Sequence, residues 1–185
     1  MRLRLILLLV LVLTGKTLFA QEYAEGLSPH QAGPVASSIS GYGAGYAYNF
    51  NANYRLKATI LFYYSNNDNS ATYLTLLGGL ELQRTLQTSS MTRFYGFIGG
   101  YVYHHRYEDQ YTYASEGSLF SYSNHIERDY AVGGGIGFEV LLWGHVVVNL
   151  DGGLQYFTSQ FSPTSYNSGS QEFGMGGGVG IMYRF

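Results

Sequence analysis

The chain has 185 residues, of which 12% are charged, against about 25% in soluble domains. It contains 25 Gly, 19 Tyr and no Cys, so disulfides and thiolate chemistry are excluded. The 10 basic and 12 acidic residues do not provide the basic patch that a nucleic-acid partner requires.

The first twenty residues have the pattern of a secretory signal peptide. Arg2 and Arg4 precede the aliphatic run Leu5–Leu13, and small or neutral residues follow up to Ala20. An uncleaved membrane anchor is the alternative, but a spanning helix needs about 20 apolar residues. We therefore expect residues 1–20 to be removed and residues 21–185 to form a single domain.

Alternation of side-chain character with a period of two predicts seven strands in the rest of the chain, because successive side chains of a strand point to opposite faces. One face of each strand is apolar and the other is small or polar. Tyr130–Leu141 shows this most clearly, whereas Phe94–His104 is apolar on both faces, with Tyr95, Phe97, Tyr101 and Tyr103 together on one of them. The predicted strands are Ser40–Phe50, Tyr54–Tyr64, Ala71–Gln83, Phe94–His104, Tyr130–Leu141, Val146–Phe157 and Phe173–Phe185.

The connections are predicted to alternate between short and long. Asn51–Asn53 and Trp143–His145 are expected to be tight turns at one end of the domain, and Ser65–Ser70, His105–Asp129 and Gln160–Ser170 are expected to be loops at the other. An even number of strands then requires one more strand before Ser40. The only candidate lies in Glu22–Val35, where two prolines weaken the pattern. A barrel that is open at this seam and an N-terminal plug are the alternatives.

This pattern favours a transmembrane barrel over a soluble, lipocalin-like barrel. If the apolar face were the core, a dozen Tyr and Phe side chains would crowd an eight-stranded interior. If the apolar face contacts lipid instead, six charged side chains face the lumen in equal numbers of each sign, which allows them to pair. They are Arg55, Lys57, Arg184, Glu81, Glu139 and Asp151.

The end of the chain carries the most specific feature. Phe173–Phe185 places apolar residues on one face and mostly glycines on the other, with Tyr183 and Phe185 as its last two outward aromatics. This strand resembles the C-terminal recognition signal of bacterial outer-membrane β-barrels, and the chain as a whole resembles the small eight-stranded members of that group. The resemblance implies an all-β, antiparallel up-and-down barrel in the outer membrane. Outer-membrane lipid would be one partner, and the barrel assembly machinery would be another, contacting Tyr183 and Phe185.

No catalytic, cofactor-binding or metal-binding residue is predicted. The clusters Gly133–Gly137 and Gly174–Gly178 do not fit a nucleotide-binding motif, and neither lies between a strand and a helix. Ser123 and His125 are the only near approach to a hydrolase pair. The histidines lack metal-ligand spacing.

The expected function is a non-enzymatic surface or binding protein. Its interaction surface would be the polar, tyrosine-rich segment 105–129, although strands extending above the bilayer would explain the same tyrosines. A narrow channel is one alternative, and a lipid A-modifying enzyme that uses Ser123 and His125 is another.

Overall fold

The computed structural model describes residues 29–67, 71–113, 119–162 and 168–185. The predicted signal peptide 1–20 lies outside these ranges, as do most of the side chains at the tips of the three longest hairpins. No helix of the described part is long and apolar enough to cross a membrane.

Eight antiparallel strands form one closed barrel in which each strand pairs with its neighbours in sequence and β8 pairs with β1. The predicted eight-stranded up-and-down barrel is confirmed. The strands are β1 His30–Ser37, β2 Gly41–Asn49, β3 Tyr54–Asn67, β4 Ala71–Thr88, β5 Thr92–Tyr113, β6 Leu119–Leu142, β7 Val146–Ser162 and β8 Ser168–Arg184.

The uncertain first strand closes the ring. β1 pairs with β8 from Gln31↔Arg184 to Ser37↔Gly178, and this ladder skips Gly33 and Pro34 because proline has no N–H to donate. At its start, the ring of His30 stacks on that of Phe185 with centroids 5.9 Å apart. The alternatives of an open seam and of an N-terminal plug at this position are therefore wrong.

Three short connections lie at one end of the barrel, which we call the short-turn end. They follow β2, β4 and β6. Asn51 shapes the first, because its Oδ1 accepts hydrogen bonds from the N–H groups of Asn53 and Tyr54 at 2.9 and 3.0 Å. Trp143 and Gly144 adopt positive φ in the third. The two predicted tight turns are confirmed, and we call the opposite end the hairpin end.

The polarity of the barrel is inverted relative to a soluble protein. Apolar side chains cover the outside, including Ile60, Phe62, Leu80, Val132, Ile136, Leu150, Val179 and Ile181. Charged side chains such as Lys57, Glu81 and Glu139 are instead buried inside. The predicted outward and inward faces are confirmed on β3, β4, β6, β7 and β8 and on β2 from Ala44 onwards, and this arrangement suits a barrel surrounded by lipid. The prediction was wrong for Tyr42, whose ring lies against the inward-facing Tyr103, because the positive φ of Gly43 interrupts the alternation.

Two predicted loops are largely strand. β5 and β6 pair continuously to Tyr113↔Leu119, so segment 105–129 is a long hairpin instead of an irregular loop. β7 likewise continues to Ser162, and β8 begins at Ser168. Ser65–Asn67 also belongs to β3. The prediction failed here because, beyond the apolar belt, water wets both strand faces and removes the alternation on which it depended.

The aromatic face of β5 points into the barrel. Tyr95 is 0% exposed and Phe97 is 2% exposed, while the outward positions of this strand hold Phe94, Ile98 and Val102. The sequence could not orient this strand because both of its faces are apolar. The lumen thus contains large rings as well as charges.

Candidate functional site: a divided lumen

The lumen near the short-turn end is filled by a network around Glu139 on β6. Both Nη atoms of Arg55 on β3 donate hydrogen bonds to this carboxylate. Arg93 on β5 approaches the same carboxylate, with Nη1 3.4 Å from Oε2. Arg93 also donates to Gln83 at 2.7 Å and to Thr85 at 2.9 Å. One carboxylate therefore joins two arginines from different strands.

A second ionic cluster lies beside the first. Lys57 Nζ is 2.7 Å from Glu81 Oε2 and 3.9 Å from Asp151 Oδ2. Gln83 links the two clusters, because its amide donates to Glu81 at 2.7 Å while its carbonyl accepts from Arg93. All these groups sit on rigid strands and are nearly inaccessible to solvent, so each charge depends on its partners.

Five of the six predicted lumen charges thus lie in these two clusters. The sixth, Arg184, is buried at the short-turn end with 7% exposure. Sequence reasoning missed Arg93, which lies just before the predicted start of its strand. The signal that could have found it is the alternation of the strand, because Arg93 lies on the same face as Tyr95 two positions later. In the structure the ring of Tyr95 lies 4.7 Å from the Arg93 guanidinium carbon.

An apolar group adjoins these clusters. It consists of Tyr95, Phe97 and Ile39, which together form a buried group. Ile39 comes from the connection between β1 and β2, here called the β1–β2 tip (Ser38–Ser40). A side chain from a connection between strands therefore occupies the middle of the lumen and is 0% exposed.

The β1–β2 tip reaches this place because the hairpin folds inwards. β1 and β2 have only 8 and 9 residues, and Gly41 and Gly43 adopt positive φ values of 86° and 136°, which few other residues tolerate. Ser37 Oγ accepts hydrogen bonds from the N–H groups of Ile39 and Ser40, both at 3.2 Å. Ser38 N donates to the carbonyl of Gly177 at 3.0 Å, and Gly177 N donates to Ser38 Oγ at 3.0 Å.

The β1–β2 tip divides the lumen into two parts. The lower lumen, towards the short-turn end, holds the two ionic clusters, and solvent does not reach Glu81 or Tyr95 from either end, since both are 0% exposed. The upper lumen lies on the other side of the β1–β2 tip, towards the hairpin end. Its inward-facing residues include Tyr63, Tyr101, Tyr103, Glu127, Asp129, Gln155 and Glu172.

The upper lumen differs in charge from the lower lumen. Among the described side chains that face it, the charged ones are acidic, and Lys and Arg are missing. Two histidines also face it: His105 stacks on Tyr103 with centroids 6.2 Å apart, and His125 stacks on Tyr107 at 6.2 Å. His105 Nδ1 lies 2.8 Å from Thr75 Oγ1. Aromatic rings and carboxylates are therefore its available chemistry.

Neither a metal centre nor a hydrolase site is assembled from the described side chains. They include no group of three His, Cys, Asp or Glu that could hold a metal ion. Ser123 lies on β6, but its side chain is outside the described part, so the structure does not test the pairing with His125 that the alternative of an enzyme requires. The glycine clusters lie within β6 and β8, as their alternation predicts.

Comparisons with known proteins give distant matches in structure only. No protein-family model and no curated protein matches the chain. Among solved structures, CarO of Acinetobacter baumannii is similar over 86% of this chain and 98% of that chain, with 12% identity and a TM-score of 0.41. Neisserial surface protein A (NspA) is similar over 84% of this chain and 94% of that chain, with 16% identity and a TM-score of 0.33.

The fold assignment rests on the strand order and polarity of this chain. A closed ring of eight antiparallel strands carries an apolar belt outside and buried ion pairs inside, as transmembrane barrels do. The chain has the architecture of the small eight-stranded outer-membrane β-barrel proteins.

Proposed function

We propose that the protein is a non-enzymatic binding protein of the outer membrane, and that the hairpin end of the barrel is its interaction surface. In this orientation the short-turn end faces the periplasm and the hairpin end faces the exterior, as is usual for outer-membrane barrels. The assembly machinery would contact Tyr183 and Phe185, which lie at the short-turn end.

The observation that carries this proposal is the length of the β5–β6 hairpin. β5 has 22 residues and β6 has 24, whereas a spanning strand needs about 9–11. Their outer halves therefore extend well beyond the apolar belt. A hairpin of this length would present a surface above the membrane.

The outer half of this hairpin carries chemistry suited to binding. Tyr107 packs against Tyr73 with ring centroids 4.8 Å apart and stacks on His125. Arg106 and Glu108 form an ion pair near the surface. Rigid aromatic side chains and adjacent polar groups are typical of adaptable contact surfaces.

The buried lower lumen argues against the alternative of an open channel. Glu81, Tyr95 and Glu139 are at most 1% exposed, and an eight-stranded barrel is usually filled by its own side chains. A water-filled path through this layer would require several charged side chains to move together.

A shortened hairpin tests the proposal. Because His105 pairs with Glu127, replacing residues 106–126 by Asn-Gly closes the hairpin with a favoured two-residue turn. A matched control replaces residues 160–169 by Asn-Gly, which Ser159 and Ser170 close in the same way. Adhesion of expressing cells to immobilised matrix proteins and to a glycan array is then compared.

We expect both shortened proteins to remain folded barrels, with binding lost only in the β5–β6 variant. Binding that is unchanged by the β5–β6 replacement, or lost equally in the control, contradicts the proposal.

A further inference from the structure

The barrel wall is incomplete above the β1–β2 tip. The ladder between β1 and β8 ends at Ser37↔Gly178, and the ladder between β2 and β3 ends at Ala44↔Ile60. β3 and β8 continue towards the hairpin end for several residues with a partner strand on one side only, and no described ladder joins them to each other. We call this interval between the upper parts of β3 and β8 the notch.

Side chains on both sides of the notch are highly exposed, as expected if the barrel wall is open there. On β8, Met175 is 88% exposed and Phe173 is 69% exposed. On β3, Tyr63 occupies an inward-facing position yet is 56% exposed. A Cβ added at Gly174, another inward position, would meet nothing within 4 Å. The notch therefore connects the upper lumen sideways to the surroundings of the barrel.

The notch lies partly at the level of the apolar belt. The β1–β2 tip sits at Gly177, only seven positions from Arg184 at the short-turn end of β8, while a spanning strand has about 9–11 residues. The first residues above the β1–β2 tip thus face lipid tails. An apolar chain can approach them from the side without crossing water.

The part of the upper lumen behind the notch is lined by aromatic rings and by carboxylates. The inward fold brings Tyr42 of β2 to 6.4 Å from Tyr103, measured between ring centroids. Asp129 is paired with Tyr103 across β5 and β6, and its Oδ1 is buried without a hydrogen-bond partner. Gln155 Oε1 is also buried without a hydrogen-bond partner. Carboxylates beside aromatic faces attract organic cations.

We propose that the notch admits a single-chain amphiphile with a cationic amine head. The alkyl chain lies between the upper parts of β3 and β8, and the amine reaches the acidic side of the upper lumen near Asp129. Charge complementarity selects this occupant over an anionic amphiphile, because the described side chains of the upper lumen supply carboxylates and no Lys or Arg. The contacts proposed here, at Tyr103 and Asp129, lie outside residues 106–126 that the shortened hairpin removes, so either proposal can fail without the other.

Fluorescence quenching in lipid nanodiscs tests this proposal. The chain has no cysteine, so Met175→Cys and Val132→Cys each carry a single fluorophore. Val132 faces lipid on β6 and is 59% exposed, which makes it the control for quencher dissolved in the bilayer. The probes are a spin-labelled alkylammonium amphiphile and its alkyl sulfate analogue.

Two glycine variants separate binding in the notch from general effects. Gly174→Trp fills the notch from an inward position of β8, while Gly78→Trp adds the same side chain to the lipid face of β4. A Cβ at either position meets nothing within 4 Å, so both proteins should fold. Asp129→Asn tests the role of the carboxylate.

The expected result is saturable quenching at position 175 by the ammonium probe, with an affinity about tenfold above that of the sulfate probe. Gly174→Trp and Asp129→Asn should weaken it, and Gly78→Trp should not. Equal and non-saturable quenching at both labels, or equal affinity for the two heads, overturns the proposal. Self-quenching that grows with the number of barrels per nanodisc would assign the notch to a second copy and overturns it as well.

Discussion

Gly176 on β8 makes room for Ile39 at the β1–β2 tip: a Cβ at Gly176 would lie 2.8 Å from Ile39 Cγ1 and 2.7 Å from Ser38 Oγ. Gly133 on β6, two strands away from β8, also makes room for this side chain, because a Cβ there would lie 3.1 Å from Ile39 Cγ2. The inward fold of the first hairpin therefore depends on glycines in strands remote from it in sequence.

Valine substitutions at Gly176 and Gly174 should differ in their effect on stability. Both positions face inwards on β8, but only Gly176 touches the β1–β2 tip. Gly176→Val should lower the free energy of unfolding by about 1–3 kcal/mol through overpacking, and Gly174→Val should leave it unchanged or slightly raised. Urea unfolding in lipid vesicles measures both, and equal effects would mean that the β1–β2 tip does not occupy the lumen.

Glu139→Gln should be strongly destabilising. It removes the charge that two buried arginines share, and breaking a buried pair costs about 3–5 kcal/mol. Glu108→Gln is the control, because its partner Arg106 is 46% exposed and surface pairs contribute at most about 1 kcal/mol. Comparable losses in the two variants would show that the lower lumen is hydrated.

Adjacent arginine substitutions on β8 should act by different mechanisms. Val179 faces lipid and is 46% exposed, so Val179→Arg should cost about 2–4 kcal/mol if it lies near the bilayer midplane. A Cβ at Gly178 would lie 2.6 Å from Asp151 Oδ1, so Gly178→Arg should act by crowding the lumen.

Unfolding in bilayers of two thicknesses separates these mechanisms, because only the lipid-facing arginine should respond to thickness. A harmless Val179→Arg would contradict the membrane orientation.

The sequence predicted the parts of the fold in which the two strand faces meet different media. Along Tyr130–Leu141 one face meets lipid and the other the lumen, so alternation alone identified both. It could not orient Tyr95 and Phe97, because both faces of that strand carry apolar side chains. It also failed for segment 105–129, where water contacts both faces.

The divided lumen was not predictable from local pattern. Arg55, Lys57, Glu81 and Glu139 were identified as lumen charges, but their partners depend on the register of five strands, from β3 to β7. The inward position of Ile39 depends on the short β1 and β2 and on the positive φ of Gly41 and Gly43. Neither the notch nor the acidic upper lumen follows from any one segment.

Planar-bilayer recordings should show no steady conductance through the wild-type protein, because the side chains of the lower lumen are packed and paired. A lasting conductance that changes with Arg55 or Glu139 substitution would instead support the channel alternative.

A cysteine scan along β8 tests the central claim most directly, namely that this chain is a lipid-embedded barrel with its apolar face outwards. Single cysteines at positions 179 to 183 carry an environment-sensitive fluorophore in vesicles made with bromine-labelled acyl chains, which quench on contact. Strong quenching is predicted at 179, 181 and 183, and weak quenching at 180 and 182. Quenching that is uniform, absent or strongest at 180 and 182 would contradict the account.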